Sequence, residues 1–280
     1  MPDHSEIAAA RRSLEAHLGI RFEAALDHGR LEELELKDYN DLARVRSLCL
    51  AGIESGAWRI RNEAVKLLGL ALHPDAGELL PAILRDRSPA PLLHRMLGGD
   101  YFHCGFERRN AVSSMALLGS WNDSTTELAI RCLRDPYYEV LSACCRWIET
   151  ALTGRCICEG GAGVIRSSDD LVGSVTALTG HGRIEVRCAA WRAAGAIAPA
   201  ETVLAMAEGV LADPRVMVRE ALLDSFGLLL DRYGALEVRE EMESCLNRLL
   251  LTSVAMRPNY PVRERYRYIR QRLEDGSCST

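Results

Sequence analysis

At 280 residues, with 48% hydrophobic, 6% aromatic and 26% charged residues, the chain can bury a large core of Leu, Ala, Val and Ile rather than rings, a composition that suits helices. A formal charge of -5 disfavours a protein that coats nucleic acid nonspecifically, because phosphate binding needs a cationic excess, although it leaves room for a local patch. No stretch approaches about eighteen apolar residues, and the opening MPDHSEIAAARRSLEAHL carries Asp3, Glu6, Arg11, Arg12 and Glu15 where a secretory signal would be apolar, so a soluble, cytoplasmic chain is expected.

Taken in chain order, residues 1–40 are expected to form an N-terminal helical cap and residues 41–256 a repeat array. The array opens with the helix WRIRNEAVKLLGLAL from Trp58, followed by a shorter partner, ELLPAIL, from Glu78. The glycine-rich LGGDYFHCGFE, Leu97 to Glu107, reads as a loop insertion. Next come RRNAVSSMALLG from Arg108, the partner ELAIRCL from Glu127, and DPYYEVLSACCRWI from Asp135. A second glycine-rich stretch, TGRCICEGGAGVIRSS over 153–168, reads as another loop. Beyond it, LVGSVTAL from Leu171 precedes IEVRCAAWRAAGAIA from Ile184, and TVLAMAEGVL from Thr202 precedes DPRVMVREALLDSFGLL from Asp213. The partner MESCLNRLLL from Met242 leads to a C-terminal capping helix and tail over 257–280. Asp135-Pro136, Ala198-Pro199 and Asp213-Pro214 punctuate the series, with Pro expected in a first helical turn and Asp as a cap.

The longer segments share a frame: an apolar residue, Arg, two variable positions, small residues, then an apolar run that often contains Gly. Ile60-Arg61, Val186-Arg187, Val218-Arg219 and Val262-Arg263 open it, and Arg108 opens another copy. Val218, Leu222, Phe226 and Leu229 fall on one helical face, as do Val186, Ala190, Ala193 and Ile197. Arg187 to Arg219 spans 32 residues and Arg108 to Leu141 spans 33, a period typical of stacked helix pairs that cannot bury their apolar faces alone. The expected fold is therefore all-α, a right-handed α-solenoid of about six stacked antiparallel helix pairs.

This pattern of partner helix, Asp, Val-Arg and Ala-rich helix resembles HEAT repeats, particularly the HEAT-like form of bilin lyases and many bacterial scaffolds. The resemblance covers roughly residues 40–273. It implies that Asp213 and Arg219 match the family's Asp and Arg, which tie neighbouring turns into a ladder, with Arg61, Arg108, Arg187 and Arg263 as further members. Leu92 and Leu141 replace Arg after Asp86 and Asp135, while Ser55, His181 and Arg257 stand where Asp would precede Arg61, Arg187 and Arg263. The ladder is expected to be discontinuous.

Insertions in a stacked array often customise binding, which makes Tyr101, Phe102 and Phe106 partner-binding candidates. Cys156 and Cys158, with His103 and Cys104, are weak metal candidates; the pairs belong to loops about 20 Å apart by helix-layer spacing, and ordinary reduced thiols are the alternative. The remaining cysteines read as core or tail residues, and no cofactor or catalytic motif is expected. Glu220, Asp224 and Asp231, with Glu63 and Glu107, could form an acidic strip for a basic partner, or a solvated face. On the C-terminal helix, Val262, Tyr266, Ile269 and Leu273 form one stripe, which casts its arginines as a solvated outer face; Arg263, Arg267 and Arg270 would be the route to nucleic acid. The expected function is a noncatalytic scaffold that binds another protein or peptide on a curved surface. The bilin-lyase resemblance implies a second reading, a lyase or chaperone for a tetrapyrrole, and HEAT-like DNA glycosylases a third, nucleic-acid binding.

Overall fold

The computed structural model describes residues 2–86, 102–153, 168–211, 213–251 and 261–275. The chain is all-helical, with no strand among the described residues. It divides into two compact units, residues 1–164 and 165–280. The division falls within the glycine-rich 153–168 stretch.

In the first unit, α1 (His4–Leu18) starts where Asp3 accepts a 2.8 Å hydrogen bond from the Glu6 N–H and ends at Gly19, whose φ of 69° favours glycine. The short α2 (Ala25–His28) lies between 3-10 turns at Phe22–Ala24 and Glu33–Leu36. There follow α3 (Leu42–Ile53), α4 (Trp58–Leu70), α5 (Ala76–Arg85), α6 (Phe102–Leu118), α7 (Asp123–Cys132) and α8 (Tyr138–Leu152). Helix α4 packs on α6 and α6 on α8, while α3, α5 and α7 pack beside α4, α6 and α8 in turn. Partner helix α7 begins further upstream than ELAIRCL suggests, because Asn122 and Thr125 form a reciprocal capping box.

Residues 102–107, expected as part of a loop, are the first turns of α6. The glycine that suggested a loop serves a contact instead. A Cβ on Gly105 would meet the Tyr137 ring at 2.5 Å, so the absent side chain is what lets the ring lie against the helix.

Residues 1–36 also do more than cap one end. Helix α1 packs on α3 and α4, and α2 packs on α6 and α8, so the segment runs along the row. Its Ile7, Leu14, Phe22, Leu26, Leu31 and Leu36 are all buried. Its main chain joins too: Leu31 N–H donates to the Leu117 carbonyl at 2.8 Å, and Thr150 Oγ1 donates to the Leu26 carbonyl at 2.5 Å.

The second unit contains α9 (Asp169–Ala177), a 3-10 turn at Leu178–Gly180, α10 (Ile184–Ile197), α11 (Ala200–Leu211), α12 (Val216–Tyr233), α13 (Ala235–Leu251) and α14 (Pro261–Asp275). Helix α10 packs on α12 and α12 on α14, with α9 beside α10, and α11 and α13 beside α12. The stripes Val186/Ala190/Ala193/Ile197 and Val218/Leu222/Phe226/Leu229 are buried. Burying a side chain such as Leu or Phe contributes about 1.5–3 kcal/mol. The C-terminal stripe Val262, Tyr266, Ile269 and Leu273 is buried as well.

One close contact recurs in both units. Gly69 of α4 meets Ser114 of α6, where an added Cβ would lie 2.6 Å from the Ser114 Cβ; Gly195 of α10 meets Ser225 of α12, where it would lie 2.6 Å from the Ser225 Cα. Each glycine stands eight residues after its copy's Arg, and each serine six after the next copy's Arg. Small residues at both positions let consecutive helices approach closely.

Candidate functional site

Four long helices, α4, α8, α10 and α12, are entered through the same turn. The Oγ of Ser55 accepts the Ala57 N–H at 3.2 Å, Asp135 Oδ1 that of Tyr137 at 2.9 Å, His181 Nδ1 that of Arg183 at 3.1 Å, and Asp213 Oδ1 that of Arg215 at 2.8 Å. Ala57, Tyr137, Arg183 and Arg215 are the extended residues immediately before α4, α8, α10 and α12, and none has a side-chain cap of its own. This corrects the expected capping. Asp135 and Asp213 brace the turn ahead of the helix, and Pro136 and Pro214 lie in that turn rather than in the first helical one. Ser55 and His181 replace Asp because the turn needs an acceptor, not a charge.

The charge serves a second contact. Asp135 has no exposed side-chain surface, and it takes Nε of Arg108 at 2.7 Å on Oδ2 and Nη2 at 3.0 Å on Oδ1, a buried two-pronged pair. Asp213 Oδ2 lies 3.2 Å from Nη2 of Arg187. In both cases the Arg of one copy meets the Asp of the following copy, so Asp213 serves Arg187 and not Arg219 of its own copy. Arg187 also donates to the His181 carbonyl at 2.9 Å, and Arg61 to the Ser55 carbonyl at 2.8 Å, each reaching back to its own turn.

Beside this ladder in the first unit lies a cleft of about 250 Å³, lined in part by Ile53, Arg61, Ile83, Asp86, Glu107 and Arg108. Arg61 Nη2 stands 3.1 Å from Glu107 Oε1, ion-pair distance but off the line of a hydrogen bond, since that oxygen has no hydrogen-bond donor. Burial pushes the Glu107 carboxyl above its usual range, and nearby Asp86 adds to this, against the pull of Arg61 and Arg108. The two cations and two acids largely neutralise each other.

Four acids of the expected strip are held in ion pairs, while Asp231 among them stays exposed. Arg265 of α14 takes Asp224 at 2.6 Å and Glu220 at 2.9 Å, and Arg272 takes Asp231 at 2.7 Å. Glu63 is held by Arg11 at 2.6 Å and Lys66 at 2.9 Å. Burial alone would raise the Glu63 pKa, but these two cations outweigh it and lower the value. Sequence reasoning missed Arg11, Arg265 and Arg272 as their partners, because each pair joins different helices and no local spacing marks it. By the same contacts, Arg265 and Arg272 are not part of a purely solvated face. Arg267 is exposed, Arg263 is half-buried, and Arg270 lies 5.9 Å from the Tyr266 ring centre.

Among the insertion candidates, Phe106 is half-buried, edge-on to Tyr137 at 5.7 Å and under the Arg109 guanidinium at 4.8 Å. Tyr101, Cys156 and Cys158, and the side chains of Phe102, His103 and Cys104, lie outside the described residues. Among the described residues, no three His, Cys, Asp or Glu side chains gather as a metal-holding group. Cys49, Cys132, Cys144, Cys145, Cys188 and Cys245 are buried free thiols, and burial pushes Cys49 up to about 12, far from a reactive thiolate. No helix among the described residues is long and apolar enough to cross a membrane. Comparison of the chain with protein-family models and with curated proteins returns no match.

Proposed function

We propose that the chain is a HEAT-like helical solenoid acting as a noncatalytic scaffold or adaptor, which holds another protein or peptide against its stacked helices. The observation that carries this reading is the repeated step from the Arg of one copy to the Asp of the next, Arg108 to Asp135 and Arg187 to Asp213, between helices that pack in series. Serial packing of this kind builds a broad surface from many helices rather than one deep pocket. Residues 1–36 support it further, since they show the kind of segment that the α4–α6–α8 row accepts: a polypeptide with a short helix, offering main-chain groups and the Asp27 carboxylate, which meets Arg146 at 2.6 Å.

Affinity capture of the tagged full chain from its own host, with and without nuclease, tests this. One stoichiometric protein that survives nuclease treatment is the expected result. Recovery of nucleic acid alone, or of a coloured small molecule, would overturn the scaffold reading.

A further inference from the structure

We propose that the turn joining α4 to α5 is a proton-operated latch, closed while His73 is neutral and eased open when it is protonated. Helix α4 ends under strain: Leu72, with a φ of 42°, is the one non-glycine residue among those described that enters the left-handed region, where a helix end usually has glycine. Neighbouring groups hold it there. The His73 N–H reaches back to the Leu68 carbonyl at 3.1 Å, and Arg46 of α3 clasps two successive carbonyls, Ala71 with Nε at 3.1 Å and Leu72 with Nη2 at 3.0 Å. The His73 ring, on a residue only 7% exposed, completes the turn: its Nδ1 accepts the Asp75 N–H at 3.1 Å, while the His73 carbonyl accepts the Ala76 N–H at 2.9 Å. One residue thus ends α4 and starts α5.

A main-chain N–H only donates, so Nδ1 must present a lone pair, and the brace exists only in the neutral imidazole. Ser55, Asp135 and Asp213 make the same two-residue reach before α4, α8 and α12, but a hydroxyl or a carboxylate still accepts at about pH 5, where an ordinary imidazole no longer does. The charged groups that face His73 are Asp75 in its own turn, with Oδ2 4.0 Å from Nδ1, and Arg46 from α3. They act oppositely on an imidazolium. A protonated Nδ1 must give up the Asp75 N–H and can turn only to the exposed, water-screened Asp75 carboxylate, while its charge repels the guanidinium that clasps the Leu72 carbonyl. Burial, joined by Arg46 and against the attraction of Asp75, holds the imidazole below its ordinary value, so the closed turn resists the proton and the opened one takes it up first. Opening therefore becomes easier as pH falls below about 6.5. Helix α5, whose first turn the latch secures, supplies Ala82 and Ile83 to the cleft beside Arg61 and Glu107. This inference stands on the turn's own contacts and does not require the scaffold reading.

Amide hydrogen exchange of the full chain, followed residue by residue by NMR between pH 7 and pH 5 with intrinsic rates divided out, tests the latch. Protection of the Asp75 and Ala76 amides is expected to fall about three- to tenfold over that range, since one proton can change an opening equilibrium by at most roughly tenfold per pH unit. Amides in the middle of α6 and α8 should keep theirs. His73→Asn, which retains an acceptor but does not titrate, should remove the pH dependence. Nitrogen-15 shifts of the imidazole in the unaltered chain give a reading that needs no variant: Nδ1 without a proton at pH 7 supports the brace, and Nδ1 carrying one there overturns it. Protection of Asp75 and Ala76 that does not change with pH, or the same fall in His73→Asn, would overturn the latch as well.

Discussion

Asp135 gives one oxygen to the Tyr137 N–H and both to Arg108, so its removal at once loosens a turn and strands a buried cation. Breaking a buried pair on one side costs about 3–5 kcal/mol, and Asp135→Asn is expected to fall at the low end because Asn keeps the turn's acceptor. The Arg187–Asp213 pair retains 16% exposure on each side chain, so water compensates in part, and Asp213→Asn should cost roughly 1–2 kcal/mol. Urea denaturation of both variants checks the order; equal losses would show that burial does not grade the ladder. His73 offers a pH test. Its Nδ1 accepts the Asp75 N–H at 3.1 Å, which requires an unprotonated nitrogen, and burial depresses its pKa against the attraction of Asp75. A depressed folded value means that the unfolded chain takes up the proton first. The contribution is therefore full above the ordinary imidazole value near 6.5 and is lost as pH falls through the folded value. His73→Asn keeps an acceptor without the titration, so its urea midpoint should fall less between pH 7 and pH 5 than that of the unaltered chain.

Between helices, glycine has opposite meanings at different places. In α4 and α10, Gly69 and Gly195 face Ser114 and Ser225 at distances where a Cβ would collide with main-chain or Cβ atoms. Alanine there should destabilise by about 1–3 kcal/mol through overpacking, despite its better helix propensity. Gly173 in the middle of α9 has nothing within 4 Å of an added Cβ. Gly173→Ala should instead stabilise by about 0.5–1 kcal/mol. Thermal unfolding of the three variants reads the contrast directly. The shared spacing of Gly69 and Gly195 from Arg61 and Arg187 means that one packing rule operates in each unit.

At the level of the first unit, residues 1–36 act as part of the core. They bury six large apolar side chains and close hydrogen bonds to Leu117 and Thr150. Deleting them is expected to expose the matching sides of α4, α6 and α8, seen as faster amide hydrogen exchange in those helices and binding of a hydrophobic dye. Retained protection in all three would show that the segment is dispensable for the row.

Periodicity was sufficient to read the helical class, the buried stripes at Val186 and Val218, and the copies opened by Arg61, Arg108, Arg187 and Arg219, because a helix face is set by residues three and four apart. The sequence also marked Ser55 and His181 as the residues standing in place of Asp in the turns before α4 and α10. Which acid meets which arginine was another matter: Arg108 reaches Asp135, Asp224 is taken by Arg265, and Gly105 makes room for Tyr137 within a helix where a loop was expected. Those pairings depend on how separate helices lie against each other. Side chains more than twenty residues apart are brought together by packing of the whole unit, and no local spacing encodes that approach.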